Sequence, residues 1–206
     1  MRLKTVIFLT ACLMAASVSA RTLSARGVLA ADDPNDVALI TFQTLNTASL
    51  DVQTWSFGGG TNAAGAAIAA GGFDPYVSLF AGWGNSATFL ASNDDGLCPP
   101  GHGTPACADS TLRIDALPAG RYTVAVSLPA NFSFAENTGT GTLGDGFIGL
   151  AASWSAGACA AKCSSAYAVD VTSAALVPEP PPALLLALGL STAAVLKRRR
   201  QIFPNR

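Results

Sequence analysis

Between residues 37 and 172 the chain is written in short runs in which apolar and polar positions alternate. Val37–Leu45, Leu50–Phe57, Tyr76–Ala81, Ala87–Ser92, Thr111–Leu117, Arg121–Leu128 and Ala166–Thr172 are rich in β-branched and aromatic residues and are bounded by turn formers, which predicts seven strands. Arg121–Leu128 is the clearest. Tyr122, Val124, Val126 and Leu128 point one way and Arg121, Thr123, Ala125 and Ser127 the other, so one face is buried. Leu112 and Ile114 alternate with Thr111, Arg113 and Asp115 in the same manner, and Leu117-Pro118-Ala119-Gly120 is turn chemistry between the two runs, so they are expected to form a hairpin. Gly58–Gly72 reads as a long glycine and alanine loop, and residues 21–36, with Asp32, Asp33, Pro34, Asn35 and Asp36, as a polar, turn-rich lead-in. No segment from Asp32 to Val177 carries a convincing 3.6-residue period. The fold class that follows is all-β, a β-sandwich or jelly roll over residues 37–172.

The two ends break this pattern. Met1–Lys4 is basic, Thr5–Val18 is apolar, and Val18-Ser19-Ala20 supplies the small residues a signal peptidase accepts, so residues 1–20 are expected to be a signal peptide cleaved after Ala20. A retained anchor is the rival, but such an apolar run is short for a span. Leu9-Thr10-Ala11-Cys12 resembles a lipoprotein box, against which stands an apolar core that continues past Cys12. At the other end a proline-rich linker, residues 173–182, precedes the apolar run Ala183–Leu196 and the basic tail 197–206. Fourteen apolar residues make a helix of about 21 Å against roughly 30 Å of bilayer hydrocarbon, a gap that snorkelling cations can close. A buried core helix would suit the length, but Lys197-Arg198-Arg199-Arg200 have no place beside a core. They belong on the cytoplasmic side of one C-terminal transmembrane helix, which puts the preceding domain outside.

Charge sharpens the division. Of 206 residues 12% are charged and the formal net charge is −1, yet seven of the twelve basic groups lie in the first four and last ten residues. Residues 21–179 hold five basic and thirteen acidic side chains, a formal charge of −8. A nucleic-acid footprint needs the opposite sign, so nucleic acid is excluded as a partner and an exported acidic module is favoured.

The carboxyl-terminal stretch VPEPPPALLLALGLSTAAVLKRRR resembles the sorting signal of PEP-CTERM proteins: a Pro-Glu-Pro motif, a short transmembrane helix and an arginine cluster. The resemblance covers about thirty residues and implies export in Gram-negative bacteria that make exopolysaccharide, with processing by a membrane-embedded exosortase. Pro178, Glu179 and Pro180 then form the recognition motif, Ala183–Leu196 the span, and Lys197, Arg198, Arg199 and Arg200 the cytoplasmic stop. Pro181 and Pro182 extend the motif and Gln201–Arg206 extends the tail beyond the family pattern. A second resemblance lies in VQTWSFGGGTNAAG, GGFDPYVSLF, ASNDDG, LPAGRYTVAVS and DGF. In that order they are similar to a β-sandwich family attached to PEP-CTERM tails and distantly similar to pre-peptidase C-terminal domains. This implies a secreted, non-catalytic module and names no substrate.

If Cys12 leaves with the signal, Cys98, Cys107, Cys159 and Cys163 remain, an even number for an oxidising compartment. Three pairings are open, of which the local ones, Cys98–Cys107 and Cys159–Cys163, are expected. Zinc on these cysteines with His102 is disfavoured because neither spacing is the two-residue knuckle. Catalysis has little support: His102 lies in a loop of turn formers, Ser153 and Ser155 flank Trp154 without a Gly-x-Ser-x-Gly elbow, and Gly58-Gly59-Gly60 opens no patterned helix. No resident cofactor is expected. Carboxylates carry the better chemical hypothesis: Asn93-Asp94-Asp95-Gly96 follows a strand and Asp74 and Asp109 precede others, so Asp74, Asn93, Asp94, Asp95 and Asp109 are candidate calcium ligands, with turn capping as the bland alternative. Two function classes remain. One is an exported, non-catalytic surface or matrix protein associated with exopolysaccharide. The other is a carbohydrate- or calcium-binding sandwich module, in which Trp55, Trp83, Trp154 and Tyr76 would stack on sugar rings.

Overall fold

Ten β-strands, almost all antiparallel partners in two four-stranded sheets, make up the computed structural model, which describes residues 20–30, 33, 36–96, 108–129, 131–149 and 165–177. One sheet has the order β1 (Arg21–Val28), β10 (Ala166–Ser173), β3 (Ala48–Thr54), β8 (Thr111–Leu117). The other has β2 (Ala38–Thr44), β9 (Gly120–Ser127), β6 (Tyr76–Ala81), β7 (Thr88–Asn93). The sheets bury one apolar face each against the other. Val52, Leu50, Leu112, Val169 and Val171 from the first meet Phe42, Val77, Leu79, Val124 and Val126 from the second, and Phe42 stacks on Tyr122 at 5.5 Å. Each such side chain removed from water contributes about 1.5–3 kcal/mol, which is what holds two otherwise independent sheets together. The seven strands expected from the alternating pattern are all present, with ends moved by up to three residues.

Three expectations are corrected. Residues 21–36 are not a polar lead-in throughout: Arg21–Val28 is an edge strand whose eight residues all pair with β10, from Arg21 opposite Ser173 to Val28 opposite Ala166. Its glycine matters, because a Cβ on Gly27 would meet the Tyr167 ring of the opposite strand at 2.7 Å. The aromatic side chain lies over the bare backbone and supplies the packing that glycine lacks. The second correction is the hairpin. β8 pairs with β3 while β9 pairs with β2 and β6, so the link at Pro118 and Ala119 carries the chain from one sheet to the other. Alternation reports that a strand has one core-facing side, and two strands facing each other across a core alternate just as two paired ones do. Within the glycine and alanine loop, β4 (Gly60–Thr61) and β5 (Ala67–Ile68) form a third, two-stranded ribbon.

The third correction concerns β9, which is buried on both faces. After Ser127 the chain makes an excursion that includes α1 (Phe134–Thr138) and a single 3-10 turn at Leu143–Asp145, and lays Ala135 and Leu143 over the outer side of the second sheet. Phe80, Ala87 and Ala125 meet them there in a second, smaller core, with Phe89 edge-on to Phe80 at 5.8 Å. Ser133 caps α1 by accepting from the Glu136 amide, and Gly139 ends it at φ 67°, a conformation that only glycine adopts without strain.

The registers also sort the connections. Arg21, Ser173, the β2–β3 turn, the Pro118–Ala119 link and the β6–β7 turn lie at one end of the sandwich. The start of β6, the end of β7 and the start of β8 lie at the other.

Candidate functional site

That second end gathers the acidic residues singled out in the sequence. Asp74 lies two residues before β6, Asn93 closes β7 before Asp94 and Asp95, and Asp109 lies two residues before β8. Antiparallel pairing of β6 with β7, and packing of β8 at the neighbouring sheet edge, bring these three termini together. Ser110, fully buried, ties them: its hydroxyl lies 2.5 Å from the Pro75 carbonyl, 2.5 Å from that of Asp94 and 3.1 Å from that of Asn93, so one proton is shared among three acceptors. Asn93 Nδ2 donates to the Thr111 carbonyl at 2.6 Å and to the Asp95 carbonyl.

Asp109 is entirely buried and has a structural task. Its carboxylate accepts from Thr54 Oγ1 at 3.0 Å, the Phe57 amide at 3.1 Å and the Gly58 amide at 2.8 Å, pinning the loop that leaves β3. A buried carboxylate is tolerable only with such donors. Asp74 is placed differently, because its Oδ1 is buried without a hydrogen-bond partner. Burial first, then the charges of Asp94, Asp95 and Asp109, raise its pKa from 3.8 to about 7. Asp94 is raised by burial and by Asp95 and Glu136. Beside it the Tyr76 hydroxyl and Glu136 Oε2 are buried with no partner in hydrogen-bonding geometry, and burial and the Glu136 carboxylate push the phenol upward.

The structure therefore brings Asp74, Asp94, Asp95 and Asp109 into one neighbourhood and commits Asn93 and Asp109 to backbone partners. Among the described residues no group of three or more His, Cys, Asp or Glu side chains is arranged to hold a metal ion. Glu136 was not foreseen; Ser133-Phe134-Ala135-Glu136 has the spacing of a capping box, which marks a helix start and would have placed Glu136 near the excursion. Cys98, Cys107, Cys159, Cys163, His102, Ser153, Trp154 and Ser155 lie outside the described residues, as do residues 1–19, the sorting residues Pro178 to Pro180, the apolar run 183–196 and Lys197 to Arg200. Among the described residues no helix is long and apolar enough to cross a membrane.

The clustered acids make stability depend on pH. The Asp74 pKa is higher folded than unfolded, so the folded state holds its proton more firmly, and the stability this provides is complete below about pH 4 and lost as pH rises towards 7. Asp74→Asn should remove this loss. After discounting for solvent screening we expect a gain of about 1–2 kcal/mol at pH 8 and little at pH 4, read from urea melts at the two pH values. An equal change at both would mean that Asp74 is not held protonated.

Among the described residues the aromatic side chains do not make a platform. Tyr76 is buried against Phe132, Trp55 is half-buried and donates to Asp170 Oδ2 at 2.9 Å, and Trp83, 41% exposed, has the Arg121 guanidinium 4.4 Å over its ring. Trp83 Nε1 donates to the Tyr122 carbonyl at 3.1 Å and that of Phe42 at 3.3 Å, which fixes it against the second sheet. Among the described residues no row of coplanar exposed rings is present.

No protein-family model and no curated protein matches this chain.

Away from this acidic end, a cleft of about 590 Å³ lies between the free edges of β1 and β2. Arg21, Leu23 and Ser24 line one wall, Thr41, Phe42 and Gln43 the other, and Leu176 and Val177 also line it.

Proposed function

We propose that this chain is an exported, non-catalytic protein of the cell surface or extracellular matrix, delivered by an amino-terminal signal peptide, held in the inner membrane by residues 183–196 and processed at Pro178-Glu179-Pro180 by an exosortase-type enzyme. Its setting is an exopolysaccharide-rich envelope. The observation that carries the proposal is where the sheets begin and end. The first strand starts at Arg21, directly after the expected cleavage point, and the last described pairing is made by Leu176, two residues before the Pro-Glu-Pro motif. Both expected addresses thus lie beyond the first and last described strands, and the acidic charge of residues 21–179 suits an exported module better than a nucleic-acid partner.

Glu179→Ala should block processing while leaving the span inserted, so that the full-length form accumulates in the membrane fraction on immunoblots. Normal maturation of that variant would sink the sorting reading. Neutral replacements of Arg198, Arg199 and Arg200 together should weaken retention at the inner membrane, because the cluster holds the tail on the cytoplasmic side.

Calcium binding is a second reading favoured by one observation, the buried and unpartnered Oδ1 of Asp74 among Asp94, Asp95 and Asp109. A melting shift at millimolar calcium that Asp74→Asn abolishes would support it, and no shift would remove it.

A further inference from the structure

Among the described residues five buried side-chain atoms lack a hydrogen-bond partner: Asp74 Oδ1, the Tyr76 hydroxyl, Ser78 Oγ, Asn131 Nδ2 and Glu136 Oε2. All five lie along β6 and its approach or in the excursion that covers it. Val77 and Leu79 face the core between the sheets, so Tyr76, Ser78 and Phe80 turn to the outer side of β6, where the excursion lies. Ser78 pairs with Ser92, and one step further along that register sets Asp94 beside Tyr76. From the excursion, Phe132 meets the Tyr76 ring edge-on at 4.7 Å, and α1 supplies Glu136.

Buried polar groups without partners are unfavourable, so each asks for a cause. Four of the five are oxygens, and the hydroxyls of Tyr76 and Ser78, residues 3% and 1% exposed, have lone pairs to offer. Asn131 Nδ2 is a donor and takes no part, its Oδ1 being held by the Gly149 amide at 3.0 Å. The Tyr76 hydroxyl lies towards Glu136 and Ser92, and the Glu136 and Asp94 carboxylates both act on it. Among the described residues no basic side chain answers these charges. Arg113 is engaged by Asp51 and Asp115 on the other sheet, Arg121 lies over Trp83 at the opposite end of the sandwich, and Arg21 and Arg26 stand on β1. Two carboxylates from different elements, with neutral oxygens beside them and neither imidazole nor thiolate in the set, suit calcium better than zinc.

We infer that a calcium ion held between Asp94 at the end of β7 and Glu136 on α1, with the Tyr76 hydroxyl beside it, clasps the excursion to the outer side of the second sheet. The inference rests on the calcium reading above and deepens it, adding Glu136 as a ligand and closure of the excursion as the consequence. The second core, made of Phe80, Ala87, Ala125, Ala135 and Leu143, is small, so an ion that ties α1 down changes how firmly the excursion is closed. Carboxylates on two elements repel each other and attract a shared cation, so binding and closure favour each other.

The test is a calcium titration of the full-length chain in detergent, read by calorimetry and by hydrogen exchange. Glu136→Gln keeps the size of the side chain and removes its charge, and should weaken calcium binding by about tenfold or more. Asn137→Gln, an exposed neighbour on the same helix, should leave the affinity unchanged. The Phe89 and Leu143 amides donate to Gly141 and Ala87 and so tie the excursion to β7 and its approach. At calcium about ten times its dissociation constant, exchange at these two amides should slow about tenfold in the wild type. A melt of Glu136→Gln without calcium checks that it folds, and the wild-type exchange readout needs no variant. Wild-type affinity in Glu136→Gln, or exchange at the two amides that calcium leaves unchanged, would overturn the inference, while a melting shift abolished by Asp74→Asn would still uphold the calcium reading. No calcium heat and no melting shift in the wild type would remove both.

Discussion

Replacing Asp109 by alanine should cost about 3–5 kcal/mol of folding stability, the sum of two or three buried donors left without an acceptor at 1–3 kcal/mol each. The Phe57 and Gly58 amides and the Thr54 hydroxyl all turn to this one carboxylate, and no water route opens at a residue that is 0% exposed. Removing the charge also relieves Asp74, one of whose acidic neighbours disappears, and this offsets a part of the loss. Asp109→Asn keeps one oxygen as acceptor and should cost less than half as much. Urea melts of the two variants check this. A loss under about 1 kcal/mol for the alanine variant would mean that the loop after β3 finds other acceptors.

Phe80→Ala should be comparably costly, about 3–5 kcal/mol, because a whole ring is withdrawn from a fully buried site. Its location gives a distinguishing signature. Phe80 lies on the outer side of the second sheet with Phe89, Ala135 and Leu143, away from the core between the sheets. Hydrogen exchange should therefore quicken first at the excursion, at the Leu143 amide that donates to Ala87 and the Phe89 amide that donates to Gly141, while Val124 and Val169 stay protected. Uniform loss of protection would mean that the excursion and the sandwich fold as one unit.

These two sites show what the sequence displays and what it hides. Seven strands were legible because each has one core-facing side, and alternation is a local property of the run that carries it. β1 was hidden by Arg21, Ser24 and Arg26: an edge strand facing solvent on several sides needs little apolar material, and Leu23 and Ala25 alone are too few to announce it. The partner of each strand was illegible for a different reason, since β8 and β9 alternate alike whether paired or stacked. Thr123, Ala125 and Ser127 read as a solvent face because small and hydroxylated residues also suit a surface; Ala125 packs under the excursion, the Thr123 hydroxyl donates to the Gly82 carbonyl at 2.9 Å and the Ser127 hydroxyl to the Asn131 carbonyl at 2.9 Å. Acidic residues at strand ends were visible one by one. Their convergence depends on β6, β7 and β8 ending on the same side, which only topology decides, and Asp109 is set apart from Asp74 by donors lying more than fifty positions earlier in the chain.

Removal of the two terminal addresses tests the proposed export most directly. Intact-mass and terminal-peptide analysis of the protein recovered from the cell surface and medium should give a chain that begins at Arg21 and lacks residues 183–206, while the membrane fraction of a Glu179→Ala strain retains them. A surface form that still carries Met1 or the Lys197–Arg200 cluster, or a chain found whole in the cytoplasm, would contradict it.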